Sequence, residues 1–331
     1  MPINDVRNTV LAIANKNNYG YISPQDFNLY AQQAQMDMFE DYFYQYNNWI
    51  SRENQRTSGT GYADIVKSLV EVIDSFSAEI FLGQLAVDLN NTNRYQLPVD
   101  YYLINKLFYY PTQLYTGTNT VVTAFKLTDS TQNFVSNPSS LLTPEIGSII
   151  VNQTTGVQCF VTNVDSTTVL SLSANIMNLN DAYSIYSATN ITEVERVNQN
   201  KLFLLTSSNL TAPTTQFPAY VLGGASSNVA TPNAITGNTV DVYPLTIRQA
   251  FAVKAQYIRY PLPPQWTYLS LQTGEPLFDS SSTSYQDFEL PLSDEPALIA
   301  KICQYVGIEI REDAVYKFGQ AEEIMESQES Q

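Results

Sequence analysis

The chain has 331 residues, 44% of them hydrophobic and only 15% charged, so it can bury a sizeable core as one large domain or two modest ones. Its 16 basic and 32 acidic residues give a net charge of −16, which opposes binding to DNA, where affinity comes from cations that displace phosphate counterions. It contains no histidine, which removes Ser-His-Asp triads, Cys-His nucleophiles, His-ligated zinc and the commonest general base.

Residues 3–15 read as a short helix with Val6, Val10, Ile13 and Ala14 on one side. A long helix follows, and its start is marked. Ser23 is placed to cap it, Pro24 takes the first helical position, where a missing N–H costs nothing, and Asp26 puts a carboxylate in the first turn. At about 100° per residue, Phe27, Tyr30, Ala31, Ala34, Met38 and Tyr42 form one apolar stripe. Leu29, Met36, Phe39, Phe43 and Ile50 form a second, roughly 120 to 200° away. Such a helix needs neighbours on both flanks, either within one large core or with its own domain on one side and an identical subunit on the other. On the second reading the subunit-interface candidates are Phe27, Tyr30, Met36, Phe39, Phe43 and Ile50, joined near the carboxy terminus by Tyr316 and Phe318.

The loop before this helix, Asn15 to Phe27, aligns with an EF-hand loop, with Gly20 at the tight turn and Ile22 at the central hydrophobe. Its ligand positions are degraded: Asn15 stands first, Asn17 third, Tyr19 fifth, and Asp26, too short for bidentate ligation, twelfth. The expectation is a plain helix-loop-helix turn with no metal and no cofactor.

A third helix carries Ile65, Leu69, Val72, Ile73 and Phe76, with Ala78 to Leu82 continuing it after a break. From Leu97 to Tyr110 the chain turns β-rich and aromatic. Residues 111–190 lose the helical period and fill with Thr, Ser, Val, Asn and Gly. Strands at Ser148 to Val151, Val157 to Asn163 and Thr168 to Leu172, with turns at Asn152 to Gly156 and Asp165 to Ser166, predict a small antiparallel sheet or barrel. Residues 190–210 and 233–266 read as further strands that return to pair with the strand before the insertion. Leu298, Ile302, Tyr305 and Val306 give a helix face after a Ser293/Asp294 cap, ended at Gly307. An acidic helix and polar tail follow.

The fold class is therefore α+β. Its core is discontinuous over 1–110 and 191–331, comprising a helical unit at 1–83, a β-rich core at 84–110 and 191–290, and carboxy-terminal helices at 291–331. A β-rich insertion occupies 111–190.

Few constellations carry chemistry. Asp37, Glu40 and Asp41 share a helix surface and Glu193 and Glu195 a strand face, where glycoside cleavage needs two carboxylates across a cleft; both read as solvated faces. Gly59-Thr60-Gly61 lacks the lysine and further glycines of a phosphate loop. Cys159 and Cys303 lie far apart and, with no signal peptide evident, are expected to be reduced. No apolar run approaches the roughly 20 residues a membrane helix needs, so no membrane association is expected. The 23 tyrosines offer rigid, amphipathic contact area. The chain reads as a non-enzyme.

Three stretches resemble a known family: Asp5 to Tyr46 (DVRNTVLAIANKNNYGYISPQDFNLYAQQAQMDMFEDYFYQY), Gln249 to Tyr268 (QAFAVKAQYIRYPLPPQWTY) and Asp287 to Ile310 (DFELPLSDEPALIAKICQYVGIEI). The first resembles the amino terminus of crAss-like bacteriophage virion proteins that form rings in the tail barrel below the portal. The second resembles the segment closing the core domain of head-to-tail adaptors. The resemblance implies a structural virion protein, a ring of twelve copies that contacts itself, the portal protein and neighbouring tail rings. Such a ring is assembled in the host cytoplasm and encloses a conduit for DNA without sequence-specific binding. Acidity suits a channel wall along which DNA slides as well as it suits ordinary solubility. The alternative is a glycan-binding or glycan-cleaving tail β-module on a helical base, which predicts aromatic residues clustered on an exposed concave surface of residues 111–190.

Overall fold

Helix α1 (Ile3–Ala14) buries Ile3, Val6, Val10 and Ala14, one stripe at three- and four-residue spacing. These belong to a computed structural model describing residues 1–14, 22–55, 63–84, 93–136, 143–223, 238–270, 275–309, 317 and 320–321. Helix α2 (Pro24–Gln55) starts where the sequence places it: the Asp26 amide donates to Ser23 Oγ at 3.1 Å, and the Ser23 hydroxyl donates back to the Asp26 carboxylate. Helix α3 (Ala63–Asp74) ends in a turn in which the Phe76 amide donates to the Ile73 carbonyl.

The predicted helical continuation over Ala78 to Leu82 is instead strand β1 (Ser77–Phe81). A short apolar run is ambiguous by periodicity alone, and here an antiparallel partner, Phe81 opposite Lys254, decides it. The chain continues through β2 (Arg94–Gln96), β3 (Tyr101–Tyr109), β4 (Gln113–Thr118), β5 (Lys126–Thr128), β6 (Ile149–Asn152), β7 (Gln158–Val164), β8 (Val169–Leu172), β9 (Ala182–Tyr186) and β10 (Thr192–Arg196). Helix α4 (Gln199–Thr206) comes next, within a segment that the sequence reading made strand. Its run Lys-Leu-Phe-Leu-Leu lacks β-branched residues, and it crosses between β10 and β11 (Ala219–Gly223), a parallel pair that no tight hairpin can join. Strands β12 (Thr239–Tyr243), β13 (Val253–Arg259), β14 (Tyr268–Ser270) and β15 (Pro276–Phe278) lead to α5 (Glu295–Glu309), which runs through Gly307 rather than stopping there.

The protein is α+β, divided into two compact units. The terminal unit joins residues 1–76 to 260–331, and the central unit spans 77–259. This boundary differs from the sequence reading, which set the insertion apart from a β core. In the central unit a seven-stranded mixed sheet has the order β1-β13-β3-β10-β11-β12-β2, and a six-stranded sheet the order β4-β9-β6-β7-β8-β5. The second sheet is the predicted insertion, and β10 and β13 both return to pair with β3 as expected. Each sheet has its own core, and β6, buried on both faces, contributes to both. Ile149 and Val151 join Tyr186, Phe81 and Tyr110 beneath the large sheet, while Ile150 joins Cys159, Leu170 and Tyr183 inside the small one.

Polar groups specify the insertion as much as apolar ones. Asp129, fully buried, accepts from the Tyr183 hydroxyl at 2.8 Å and from the Thr131 amide and hydroxyl at 2.9 and 2.6 Å. Asp181 accepts from the Asn178 amide at 2.8 Å and the Asn152 side-chain amide at 2.7 Å; those donors, the Asn178 N–H foremost, hold its carboxyl below the usual range.

Gly117→Ala would overlap Asp129 Oδ2 and bring its methyl to 2.8 Å from Tyr183 Oη, breaking the buried Asp129–Tyr183 bond. We expect a loss of about 3 kcal/mol in urea unfolding. Because the Asp181 pKa is depressed by folding, its contribution is complete above the ordinary carboxylate value of about 3.9 and is lost as pH falls through the folded value. The stability gap between wild type and Asp181→Asn should therefore narrow between pH 7 and pH 3, as read by urea midpoints.

Candidate functional site

Helix α2 presents the surface that the sequence singles out, and its first stripe is consumed by its own unit. Phe27, Ala31, Ala34, Met38 and Tyr42 are all buried. Between them α2 carries two amides seven residues apart, hence on one face, and both clamp irregular chain. Asn28 donates to the Trp266 carbonyl at 3.1 Å and accepts from the Trp266 amide at 2.9 Å. Gln35, 1% exposed, donates to the Leu262 carbonyl at 2.8 Å and accepts from the Glu289 amide at 3.1 Å. Hydroxyls add to the seam: Tyr42 donates to Asp294 and Tyr305 to Asp37, with the Tyr305 ring stacked on Tyr30 at 6.1 Å. From α1, the Arg7 guanidinium lies 3.9 Å from the Trp266 ring centroid, and Asn4 accepts the indole N–H at 3.1 Å.

This placement corrects two of the interface candidates. Phe27 and Phe39 are at most 1% exposed, so neither offers surface to another subunit; Phe39 meets Phe43 at 5.0 Å and Phe76 at 5.1 Å edge-on, all within the unit. Tyr30, Met36, Phe43 and Ile50 are half-buried, and Leu29 and Tyr44 are exposed. Tyr316 and Phe318 lie outside the described residues, as do Asn15 and Asn17 of the EF-hand-like loop. Asp26, its twelfth position, is engaged by Ser23. Among the described residues no three of His, Cys, Asp and Glu come together as a metal group. Asp37 and Asp41, both half-buried, accept from Gln33 and Gln45 along α2, and Asp37 also takes the Tyr305 hydroxyl, so it belongs to the seam and not to a solvated face; Glu193 pairs with Lys106 at 3.2 Å on an exposed strand face.

The tyrosines also sit differently from the contact surface their number suggests. Tyr95, Tyr115, Tyr183 and Tyr186 are core residues, each donating its hydroxyl to a backbone carbonyl or, for Tyr183, to Asp129. Burial pushes their pKa values upward. The aromatic platform expected of a glycan module is thus absent from the insertion's tyrosines. Its exposed aromatics are Phe125 and Phe160, which have no hydroxyl.

Two groups of exposed apolar residues in the central unit were not foreseen. The inner side of α4 packs Leu202 and Leu205 onto Val197, Ala219 and Val221, while Phe203 and Leu204 on its outer side stand in water with Leu210 and Phe217 beyond it. The second group lies at the β5–β8–β7 end of the small sheet. The Leu172 amide donates to the Phe125 carbonyl and the Ser173 amide to the Phe160 carbonyl, so the two phenylalanines flank β8 from either side, about 10 Å apart by strand spacing. Phe125 is the third residue of a turn closed by Lys126 N–H to the Thr123 carbonyl, with φ +58°, a place glycine or asparagine ordinarily takes. Phe251 has the same conformation but covers Gly83 with its ring, whereas Phe125 is 55% exposed and gains little burial for a strain of about 1–3 kcal/mol.

Charge divides between the units. The terminal unit holds 22 acidic and 8 basic residues, net −14, and the central unit 10 and 8, net −2. No helix among the described residues is long and apolar enough to cross a membrane. No known protein family matches the chain, and no curated protein matches it either.

The Gln35 clamp carries its own test. Gln35→Ala removes a buried amide that holds two partly exposed backbone groups, and should cost about 1–3 kcal/mol in chemical denaturation. Hydrogen exchange at the Glu289 amide should accelerate well beyond that of amides in the central unit.

Proposed function

We propose that this protein is a structural subunit of a phage head-to-tail connector, one of many identical copies in a ring beneath the portal, through which DNA passes. The structural observation that supports the reading is the number of large apolar side chains left in water on the central unit, among them Phe203, Leu204, Leu210 and Phe217 at 69–94% exposure, which the fold itself does not use. The resemblance of residues 5–46, 249–268 and 287–310 to tail-barrel ring proteins supports it and supplies the expectation of twelve copies. The concentration of acid in the terminal unit, net −14, suits a surface facing DNA in transit, because like charge prevents the polyanion from sticking.

The work of such a subunit is mechanical. The amide and hydroxyl clamps along α2 hold chain segments more than 200 residues apart as one body, which is what a load-bearing ring requires. Heterologous contacts then close the ring. Electron-microscope imaging and mass measurement of the purified protein, alone and with its portal, should give rings of uniform copy number. A chain that remains monomeric in both conditions sinks the proposal.

A further inference from the structure

We propose that the seam between residues 1–76 and 260–309 of the terminal unit is a latch that cations close. Neutral hydrogen bonds and apolar burial hold it against like-charge repulsion, and dilution of salt loosens it. The inference stands apart from the connector reading, since it concerns the fold of one copy.

The seam joins two lengths of chain that repel each other. Residues 1–76 hold 9 acidic and 5 basic residues, net −4, and residues 260–331 hold 13 and 3, net −10. Folding brings them together, because α5 packs on both α1 and α2 and buries Leu298, Ile302, Cys303 and Val306. Carboxylates of the two lengths meet at the seam itself. Asp287 takes the Ile3 amide at 2.8 Å and the Tyr285 hydroxyl at 2.7 Å, and that hydroxyl also lies in the field of Asp5 on α1. Between α2 and α5 the exchange is reciprocal: Tyr42 of α2 donates to Asp294, just before α5, and Tyr305 of α5 donates to Asp37 of α2.

The fastenings have neutral donors. Those two phenols, the side-chain amides of Asn28 and Gln35, and the Trp266 indole N–H donating to Asn4 all cross the seam. Such bonds, like apolar burial, are screened far less by salt than exposed ion pairs are. Arg7 crosses it too, 3.9 Å from the Trp266 ring centroid, but it is buried and therefore also screened little. Repulsion between the net charges is spread over the whole unit and shrinks with the Debye length, from roughly 30 Å at 0.01 M salt to about 10 Å at 0.1 M. Adding salt thus tightens this seam, the reverse of its effect on a contact closed by surface ion pairs. The central unit supplies the contrast: at net −2, with ion pairs such as Arg94–Asp241 and Lys126–Asp165, it gains nothing from salt.

Hydrogen exchange of the full chain at neutral pH, resolved along the sequence, tests the latch in sodium chloride at about 10 and 100 mM. Amides of α1 and α5 should exchange at least about fivefold faster in the dilute salt, while those of β3 and β13 change less than about twofold. A triple variant, Asp5→Asn with Glu40→Gln and Glu275→Gln, removes exposed carboxylates that make none of the bonds above and lowers the two net charges to −2 and −9. Because the product of the charges then falls to about half, the logarithm of the salt response should fall to about half as well.

Exchange in α5 that is unchanged or slower in dilute salt overturns the latch, as does equal acceleration in both units or an undiminished response in the triple variant. Protection that saturates at micromolar magnesium would mean a bound ion and overturns the screening account. Rings seen or not seen by imaging bear only on the connector reading.

Discussion

The pairing of β3 on both of its edges is the constraint from which the rest of the central unit follows. One edge takes β10, with Tyr109 opposite Thr192, and the other takes β13, with Tyr109 opposite Val253. Both partners come from far along the chain, so β3 can be satisfied only after the intervening segment has folded back. The register explains how that segment is accommodated. Tyr109 and Thr192 are cross-strand neighbours, so the chain leaves for β4 and returns from β9 at adjacent points, and the β3–β10 register carries no irregularity there. The six-stranded sheet is attached to it through the core as well. Tyr186 stacks on Phe81 at 6.0 Å and donates its hydroxyl to the Ala250 carbonyl, tying the last strand of the excursion to the turn before β13. An insertion bound in this way shares a folding unit with its host.

A second constraint is the pairing of buried hydroxyls and amides, which Tyr, Asn and Gln side chains meet at many positions, although Gln158 Oε1 and the Thr192 and Thr239 hydroxyls are buried without a partner. Phenol rings fill the core beneath β3 while their hydroxyls reach the one kind of acceptor always at hand, a backbone carbonyl at a bend. Tyr257 instead reaches Asp100 at 3.2 Å, and its pKa is pushed up to about 12, chiefly by burial. In the terminal unit amides take the same part. Asn28 and Gln35 each have donor and acceptor aligned on one edge, which matches a segment of extended backbone as a neighbouring strand would. Irregular chain around Leu262, Trp266 and Glu289 is thereby fixed by amides, with the Glu289 carboxylate accepting from the Leu262 amide at 2.8 Å and Arg7 over Trp266 adding charged contacts.

Local chemistry is legible in such a sequence and partner choice is not. The start of α2 follows from Ser23, Pro24 and Asp26, and the β6–β7 turn from Asn152, whose side chain accepts from the amides of Thr154 and Thr155, with Gly156 at φ +75°. The strands at 149–172 and the return of β10 and β13 to β3 follow from alternation and turn spacing. By contrast, β1 and α4 are short apolar runs that either period fits, and the deciding facts, a strand opposite Phe81 and a parallel neighbour needing a crossover, lie outside the runs themselves, about a dozen residues on for α4 and far along the chain for β1. The same limit governs α2. Its two apolar sides are written in the sequence, but nothing local says that Phe27 and Phe39 are filled by residues of the same chain. The pair Asn28 and Gln35, polar at a seven-residue spacing inside an apolar stripe, was the available sign that this face grips backbone.

The surfaces left over after these demands are met are where assembly has room to act. A crossover helix over a parallel pair requires only one apolar side, and α4 meets that need with Leu202 and Leu205. Phe203 and Leu204 therefore answer to nothing inside the fold, and neither does Phe125, where a glycine would relax the turn. Folding alone would favour polar residues at the first two positions and glycine at the third. Both departures fall on the nearly neutral unit, while most of the acid resides in the other. An apolar surface differs from a charged one in that its contacts are weakened little by salt, so the two units respond to ionic strength in different ways: the acidic one through self-repulsion that salt screens, the neutral one hardly at all.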